Sequence, residues 1–217
     1  MTVRVKICGI TNVADALLAV EAGADALGFI FVEGTPRYVT PDRAASIIAE
    51  LPPLVSPVGV FWDHPPAHVR AVVEACRLAA VQLHGVEPPE VVASFALPVL
   101  KTVKVETPAD LAALDRYRPA AFLLDSPARW SEGEARAPIS WMLAREAARR
   151  ARIILSAGLT PETVAEAVRV ARPFGVDVTS GVESVPGRKD PEKVRRFVGA
   201  ARAAAAELDG APETLPR

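Results

Sequence analysis

The stretch Val3-Arg4-Val5-Lys6-Ile7-Cys8-Gly9-Ile10-Thr11 is a short run of β-branched and other apolar residues that ends in a turn. A segment of helical character, Val13 to Glu21, and a second apolar run, Ala26 to Phe31, follow it directly. This order predicts a strand, a helix and a parallel strand. Because the first turn contains no GxGxxG sequence, a doubly wound open sheet is the less favoured arrangement.

The same alternation repeats eight times along the 217 residues. Strands are predicted at Val3 to Cys8, Ala26 to Phe31, Ser56 to Phe61, Ala80 to Leu83, Val99 to Val103, Ala121 to Leu124, Arg152 to Ser156 and Gly175 to Thr179. Helices are predicted at Val13 to Glu21, Asp42 to Glu50, Ala67 to Cys76, Pro89 to Ser94, Ala109 to Tyr117, Trp141 to Arg149, Glu162 to Arg172 and Glu192 to Glu207. The pattern predicts an α/β protein, a single-domain (β/α)8 TIM barrel over residues 1–207 with a C-terminal tail at 208–217.

Four dipeptides give the predicted starts of helices, because each places a capping oxygen before a proline suited to the first helical turn. They are Thr40-Pro41, Thr107-Pro108, Thr160-Pro161 and Asp190-Pro191. These signals support the helical half of each repeat.

Composition excludes several classes of function. Half of the residues are hydrophobic, and 25 basic side chains balance 26 acidic ones, so neither long disordered tails nor a nucleic-acid-binding surface is expected. Charges interrupt every apolar stretch before the ~20 residues that a membrane span needs, and the N-terminal stretch lacks the features of a secretory signal. The only two cysteines, Cys8 and Cys76, are too few for a disulfide framework, which favours a cytoplasmic protein.

Scarce amides and frequent prolines hint at adaptation to heat. Asn12 is the only asparagine, Gln82 the only glutamine, and there are 20 prolines. A GC-rich genome would bias the composition in the same way. A homodimer would fit a heat-adapted protein, but the sequence does not distinguish an outer helix from an interface.

Two reactive side chains lie where predicted strands end, which is where barrel enzymes place their chemistry. Cys8 ends the first strand, and Asp125 follows the apolar sixth strand. A thiolate can act as a base and a desolvated carboxyl group as an acid. Cys8 is equally well interpreted as a packed thiol. Asp125 could be a turn residue or a helix cap, but the catalytic interpretation is favoured because the preceding run is fully apolar. Cys76, within a helix, is given no role.

Further polar residues follow other strands. Arg37, in the loop after the second strand, is able to grip a carboxylate or phosphate, although a solvated arginine is more common. Gln82 and His84 share one face of the fourth strand, which in a barrel can line the mouth, although a histidine hydrogen-bonded to its own loop fits the sequence equally well. No second histidine has metal-ligand spacing to His84, so no metal is expected.

The loops after strands seven and eight carry small and polar residues where barrels commonly bind phosphate. The first holds Ser156, Ala157 and Gly158, and the second follows Asp177 with Ser180 and Gly181. A phosphorylated small molecule is therefore the expected ligand.

Taken together, these segments resemble the phosphoribosylanthranilate isomerase family of tryptophan synthesis, from Val3 to about Phe197. The resemblance is carried by Lys6-Ile7-Cys8-Gly9-Ile10-Thr11, Arg37-Tyr38, Val81-Gln82-Leu83-His84-Gly85, Leu123-Leu124-Asp125, Leu155-Ser156-Ala157-Gly158-Leu159, Val176-Asp177-Val178-Thr179-Ser180-Gly181-Val182-Glu183 and Pro186-Gly187-Arg188-Lys189-Asp190.

This resemblance implies a cofactor-free Amadori rearrangement of a phosphoribosyl amine to an aminoketose. It implies that Cys8 is the general base, that Asp125 is the general acid, and that Arg37 holds the anthranilate carboxylate. The segments Ser156 to Gly158 and Ser180 to Gly181 would hold the phosphate. The sequence departs from the family at two points: Trp130 to Arg136 has one glycine, Gly133, and Ala157 replaces a common second glycine.

Two other functions stay open at the level of sequence. Lys6 and Lys101 lie on predicted strands, and a desolvated lysine can form a Schiff base, which would make the protein an aldolase for a sugar phosphate. A noncatalytic barrel that binds a sugar phosphate would keep the phosphate loops and dispense with the acid and base.

Overall fold

The computed structural model describes residues 2–127 and 139–210. Eight parallel strands form a closed barrel in the order of the chain, with β8 hydrogen-bonded to β1, which confirms the predicted TIM barrel. The strands are β1 Arg4–Cys8, β2 Ala26–Ile30, β3 Ser56–Phe61, β4 Ala80–Leu83, β5 Val99–Lys104, β6 Ala121–Asp125, β7 Ile153–Leu155 and β8 Gly175–Val178. A small antiparallel pair, β9 Glu183–Val185 and β10 Arg188–Lys189, follows them.

The connecting helices pack around the barrel. They are α1 Val13–Glu21, α2 Pro41–Ala49, α3 Pro66–Cys76, α4 Pro89–Ala93, α5 Ala113–Arg116, α6 Trp141–Arg150, α7 Val164–Ala171 and α8 Pro191–Gly210. Short 3₁₀ segments lie at Pro108–Ala112 and Ser180–Val182. No described helix is long and apolar enough to cross a membrane.

The main hydrophobic core lies between the strands and the helices, because alternate strand residues point outward. Ile7, Leu27 and Leu124 are fully buried members of this core. Inside the barrel, two smaller apolar clusters fill the space: Cys8, Ile30 and Val60 form one, and Ala121, Leu123 and Ile154 form the other. Polar side chains inside the barrel must therefore pair with one another, since little water reaches them.

Strand register decides which polar side chains meet. Lys6 on β1 pairs with Asp177 on β8, and Lys104 on β5 pairs with Asp125 on β6. Because all eight strands are parallel, their carboxyl ends and the loops that follow meet at one end of the barrel.

The capping signals had mixed outcomes. The Thr40 hydroxyl accepts from the Arg43 N–H, and Asp190 accepts from Glu192 and Lys193, which confirms both predicted helix starts. Thr107 forms a capping box on a 3₁₀ segment, so the predicted fifth helix is a 3₁₀ turn and one short α-turn. Thr160 initiates a turn, and α7 begins later, at Val164.

Several predicted boundaries were wrong by one or two residues. Val3, Phe31, Ser156 and Thr179 lie outside strands. Lys104 and Asp125 are the last residues of β5 and β6, since each continues the ladder between these two strands. The β9–β10 pair was missed because strands this short show no periodicity. Helix α8 extends to Gly210, beyond the predicted boundary at 207, and the rest of the predicted tail, 211–217, lies outside the described residues.

Candidate active site

A cavity opens at the carboxyl end of the barrel. Its described lining is Cys8, Ile30, Thr35, Arg37, Gln82, His84, Leu123, Ser156, Ala157, Gly158, Leu159, Asp177, Val178, Thr179, Ser180 and Gly181. All the predicted site residues except Asp125 are in this set. Six strands and the loops after them supply the lining, so the closure of the barrel assembles it.

Cys8 lies at the end of β1, with its side chain inside the barrel, and it is 3% exposed. Gly28 on the neighbouring strand makes room for it. A Cβ atom at Gly28 would stand 2.5 Å from the Cys8 Sγ atom and 3.0 Å from the Lys6 Nζ atom. The thiol and the ammonium therefore converge on a space that exists because residue 28 has no side chain.

Lys6 and Asp177 form a buried ion pair directly below Cys8. The Lys6 Nζ atom donates to Asp177 Oδ1 at 2.9 Å, and both side chains are 4% exposed. Burial lowers the pKa of Lys6, but the Asp177 carboxylate and, next, the Cys8 sulfur raise it, and the net pKa lies above its usual value. Lys6 is thus an ammonium, and Asp177 is committed to it as well as lining the cavity.

Arg37 reaches the cavity from the loop after β2, where it is bound to Glu183. The Arg37 Nε atom lies 2.9 Å from Glu183 Oε1, and Nη2 lies 2.7 Å from Oε2. Lys189 also donates to Glu183, at 3.1 Å. Burial raises the pKa of Glu183, but hydrogen bonds from Arg37 and the charge of Lys189 bring it below its usual value. Glu183 fixes the guanidinium, and no described residue accepts from its Nη1.

Asp125 ends β6 and is fully buried. Its Oδ2 atom accepts from Lys104 Nζ at 2.8 Å and lies 3.3 Å from His84 Nε2, while Oδ1 accepts from the N–H of Ser126 at 2.9 Å. These donors favour the carboxylate form. Asp125 is not in the described lining of the cavity, but it contacts His84, which is.

His84 and Gln82 lie inside the barrel beside Asp125, as the shared face of β4 predicts. Gln82 Nε2 lies 3.3 Å from His84 Nδ1, and Thr102 Oγ1 lies 3.2 Å from the same nitrogen. The Gln82 Oε1 atom is buried without a hydrogen-bond partner among the described residues. An acceptor of this kind in a cavity wall is suited to a donor on a ligand.

The loop after β7 has an unusual backbone. Ala157 has a φ of 63° and Gly158 a φ of 67°, so both residues are left-handed. The departure from the family pattern therefore places an alanine where a glycine would be less strained. The N–H groups of these two residues donate to no described residue. Together with Ser180 and Gly181 across the cavity, they surround a place suited to an anion.

The remaining candidates have structural partners. Lys101 donates to Glu87 at 2.7 Å and to the main chain of Gly85 at 2.6 Å, so it is half of a buried pair. Cys76 packs in the main core as an unpaired thiol. The segment Trp130 to Arg136 lies outside the described residues. Within the described residues, no cluster of His, Cys, Asp or Glu has the arrangement of a metal site.

Sequence reasoning missed Trp62, Lys104 and Lys189. Trp62 lies against the His84 ring, with ring centroids 5.1 Å apart, and Lys104 lies 5.7 Å from the Trp62 centroid. The strand-end rule that selected Cys8 and Asp125 would also have selected Trp62 and Lys104, since they lie at the ends of β3 and β5. Lys189 had no such signal, because it reaches the site from the β9–β10 pair.

Comparisons with known proteins agree with this geometry. Residues 5–200 match the family model described as N-(5'phosphoribosyl)anthranilate (PRA) isomerase. An N-(5'-phosphoribosyl)anthranilate isomerase of Geobacter metallireducens is 49% identical over 201 residues, which cover 93% of this chain and 100% of that protein.

Solved structures are similar as well. The phosphoribosyl anthranilate isomerase of Thermotoga maritima has a TM-score of 0.88 and 43% identity, covering 93% of this chain and 99% of that one. A phosphoribosyl anthranilate isomerase in complex with reduced 1-(o-carboxyphenylamino)-1-deoxyribulose 5-phosphate has a TM-score of 0.85 and 43% identity, with the same coverage.

Proposed function

Because the chain belongs to the N-(5'-phosphoribosyl)anthranilate isomerase family, we propose that Cys8 and Asp125 are the base and the acid of its reaction. The protein is an aldose–ketose isomerase of tryptophan biosynthesis. Its reaction is the Amadori rearrangement of N-(5'-phosphoribosyl)anthranilate to 1-(2-carboxyphenylamino)-1-deoxyribulose 5-phosphate. The chemistry requires a proton for the ring oxygen, a base for the C2′ proton and an anchor for each end of the substrate.

The first step opens the ribose ring. Asp125, once protonated, gives its proton to the ring oxygen, the bond from that oxygen to C1′ breaks, and the nitrogen lone pair forms an iminium ion with C1′. The Oδ2 atom of Asp125 is held by Lys104 and faces His84. The Lys104 ammonium stabilises the Asp125 carboxylate and so opposes its protonation, which makes this step sensitive to Lys104.

The second step removes the C2′ proton. The Cys8 thiolate forms an S–H bond, the C2′–H bond breaks, and its electron pair becomes the C1′=C2′ double bond while the iminium electrons return to nitrogen. The resulting enol tautomerises to the ketone. Cys8 suits this step because its sulfur lies in the cavity wall beside a buried ammonium.

Two anchors at the cavity hold the ends of the substrate. We assign the phosphate to the loops after β7 and β8, because the N–H groups of Ala157 and Gly158 donate to no described residue. Ser156 and Ser180 add hydroxyls, and Gly181 allows close approach. Arg37, oriented by Glu183, is assigned to the anthranilate carboxylate through its remaining N–H groups.

Three predicted contacts take narrower roles. The Gln82 Oε1 atom is assigned to a ribose hydroxyl, since it is a buried acceptor without a described partner. His84, whose Nε2 atom lies 3.3 Å from Asp125 Oδ2, is assigned a position between Asp125 and the substrate. Asp177 is assigned the role of holding Lys6. It would contact the substrate only through Ser156, whose hydroxyl lies 3.4 Å from Asp177 Oδ2.

The convergence of Cys8, Arg37 and both phosphate loops on one cavity is what best supports this assignment. A direct test is to give purified protein N-(5'-phosphoribosyl)anthranilate and to follow the loss of substrate fluorescence. We expect turnover, and Arg37→Ala should mainly raise KM. Folded protein without turnover would overturn the assignment, and an unchanged KM with a lowered kcat would remove Arg37 from a simple binding role.

The aldolase alternative loses its basis, because Lys6 and Lys101 are each held in a buried ion pair. A lysine amine that is held by a carboxylate partner in this way is not presented to a carbonyl carbon as a nucleophile. Borohydride treatment with a sugar phosphate should leave the protein without an adduct.

We further infer a homodimer formed through the opposite, amino-terminal end of the barrel. A cavity of about 320 Å³ opens there, and fully exposed Leu54, with a φ of 78°, stands at its rim. A projecting apolar side chain and a cavity on the same face complement each other across a two-fold axis. The Thermotoga maritima relative is described as dimeric. Leu54→Asp should sediment as a monomer, and a dimer in this variant would count against this interface.

We also propose a cytoplasmic location. Cys8 and Cys76 are both buried, unpaired thiols, and free thiols are maintained in reducing compartments. Fractionation of the native host should recover the activity with cytoplasmic markers, and recovery from an oxidising compartment would contradict this.

A further inference from the structure

Cys8 is surrounded by cations that no catalytic step uses directly. Lys6 precedes it by two residues on β1, and Lys189 approaches from β10. Both side chains are buried, with Lys6 at 4% exposure and Lys189 fully buried. The pKa of Lys6 lies above its usual value, whereas burial brings the pKa of Lys189 below its usual value despite the opposing effects of Glu183 and Cys8, so Lys6 is the firmer positive charge. Buried cations are costly unless an anion offsets them, so their position needs a reason.

Each of these lysines is paired with a carboxylate. Asp177 holds the Lys6 ammonium from β8 at 2.9 Å, and Glu183 holds Lys189 from β9 at 3.1 Å. Arg37 donates to both oxygens of Glu183. The carboxylates fix the lysines in place next to the cavity that Cys8 lines.

Other groups around the cavity contribute little charge at this point. Gln82 is neutral, and His84 belongs to the opposite side of the barrel, beside Asp125 and Lys104. Asp15 accepts from the main-chain N–H of Lys189 and from Asn12, away from the ammonium. Lys6 is therefore the described charged group that shares a strand face with Cys8 and converges with its sulfur at Gly28.

From this arrangement we propose that Lys6 is a positioning residue of the isomerase reaction: anchored by Asp177, it holds Cys8 as the thiolate that accepts the substrate proton. This role rests on the proposed function of Cys8. Lys6 does not touch the reacting atoms. Its ammonium and the sulfur meet above Gly28, where a Cβ atom would lie within 3.0 Å of both. The Asp177 carboxylate keeps the ammonium charged and in place.

The arrangement distinguishes Lys6 from an ordinary buried ion pair. Lys101 and Glu87 form such a pair on the other side of the barrel, with exposures of 3% and 4%, and their contacts are to the main chain of Leu83 and Gly85. That pair fixes a loop and faces no thiol. It is the matched control for Lys6 and Asp177.

The test measures the thiolate itself by its ultraviolet absorbance as pH is raised, in a Cys76→Ala background with Cys8→Ser as the blank. Replacing Lys6 alone would leave Asp177 buried and unpaired, so the informative variant is Lys6→Met with Asp177→Asn, and circular dichroism verifies its fold. We expect its thiolate to appear at higher pH than in the parent. Lys101→Met with Glu87→Gln should leave the midpoint unchanged.

Turnover gives an independent readout. In the Lys6→Met, Asp177→Asn variant, kcat at neutral pH should fall roughly 10-fold to 100-fold and recover as pH rises, with KM little changed. An unchanged thiolate midpoint would overturn the role of Lys6, and so would a loss of kcat that pH does not restore. The absorbance measurement requires no turnover, so it tests Lys6 separately from the catalytic role of Cys8. That catalytic role would be disproved if Cys8→Ala retained activity.

Discussion

The two sides of the barrel mouth hold their reactive groups in opposite ways. On the β8–β1 side, buried Lys6 lies beside Cys8, and we propose that it favours the thiolate, which is the form a base requires. On the β5–β6 side, Lys104 donates to Asp125 at 2.8 Å and favours the carboxylate, which is the wrong form for an acid. In the proposed roles, the β8–β1 side is the prepared half of the site, and the β5–β6 side must take up a proton before it can act.

This difference teaches that burial alone does not assign acid and base. Both groups are almost completely buried, and each lies near a lysine. What differs is the exposure of the lysine: the Lys6 side chain is 4% exposed, whereas that of Lys104 is 31% exposed. A charge in contact with water is better screened and more easily displaced. The acid side is thus the more adaptable half.

The largest expected effect comes from removing either reactive group. Cys8→Ala and Asp125→Asn should each lower kcat by ~10²-fold or more, because each loses a proton transfer. Steady-state assays by substrate fluorescence measure this, with Cys76→Ala as the control for loss of a thiol. Near-normal turnover in either variant would remove that residue from its role.

The next effect concerns the anchor on the prepared side. Glu183→Gln leaves Arg37 and Lys189 without their shared carboxylate and should destabilise the fold by about 3 kcal/mol near neutral pH. The pKa of Glu183 lies below its usual 4.5, so its contribution is present above that pH and is lost as pH falls through the lower folded value.

Urea unfolding at a series of pH values tests this assignment. The gap in unfolding free energy between parent and Glu183→Gln should be widest near neutrality and should narrow in acid. A gap that is constant with pH would mean that the carboxylate charge contributes nothing. The exposed pair Arg196 and Glu162 is a suitable control, since Glu162→Gln should cost little at any pH.

A smaller effect is expected on the adaptable side. Lys104→Met removes the ammonium from Asp125, so the protonated acid should persist to higher pH and the high-pH fall of kcat should move upward. A pH series of kcat measures the shift. If the fall stays where it is, Lys104 does not control the acid, and if activity is lost at every pH, Lys104 has a direct role instead.

The smallest effect concerns the phosphate loop. Ala157 has a φ of 63°, a conformation that glycine adopts more easily. Ala157→Gly should therefore raise the free energy of unfolding by up to about 1 kcal/mol, with the gain reduced by the greater freedom of glycine in the unfolded chain. Thermal unfolding checks the sign. A lower melting temperature would show that packing of the methyl group outweighs the strain.

Much of this molecule is predictable from sequence because a parallel barrel repeats one simple pattern. Cys8 and Asp125 were selected as candidates by position, since each comes at the end of an apolar strand. The loops around Gly158 and Gly181 followed from their place after the last two strands. The resemblance to a family added roles to these positions, which spacing by itself left open.

The remainder depends on contacts between distant segments. Arg37 and Glu183 are 146 residues apart in the chain, and Lys6 and Asp177 are 171 apart. Only the closure of the barrel and its register bring them together. Asp177 was therefore expected to contact substrate, although it holds Lys6. Lys104, the partner of Asp125, follows its predicted strand just as Asp125 does, but it was passed over because its contact with Asp125 depends on the register between β5 and β6.

The division of labour across the mouth is tested most directly by a kinetic isotope effect with deuterium at C2′ of the substrate. The parent should show a primary effect on kcat, because the proposed base Cys8 removes that proton. Asp125→Asn, which slows the earlier ring opening, should suppress the effect, whereas Lys6→Met with Asp177→Asn, which weakens the base, should enlarge it. If both variants changed the isotope effect in the same direction, the two sides would not serve separate steps, and this account would be wrong.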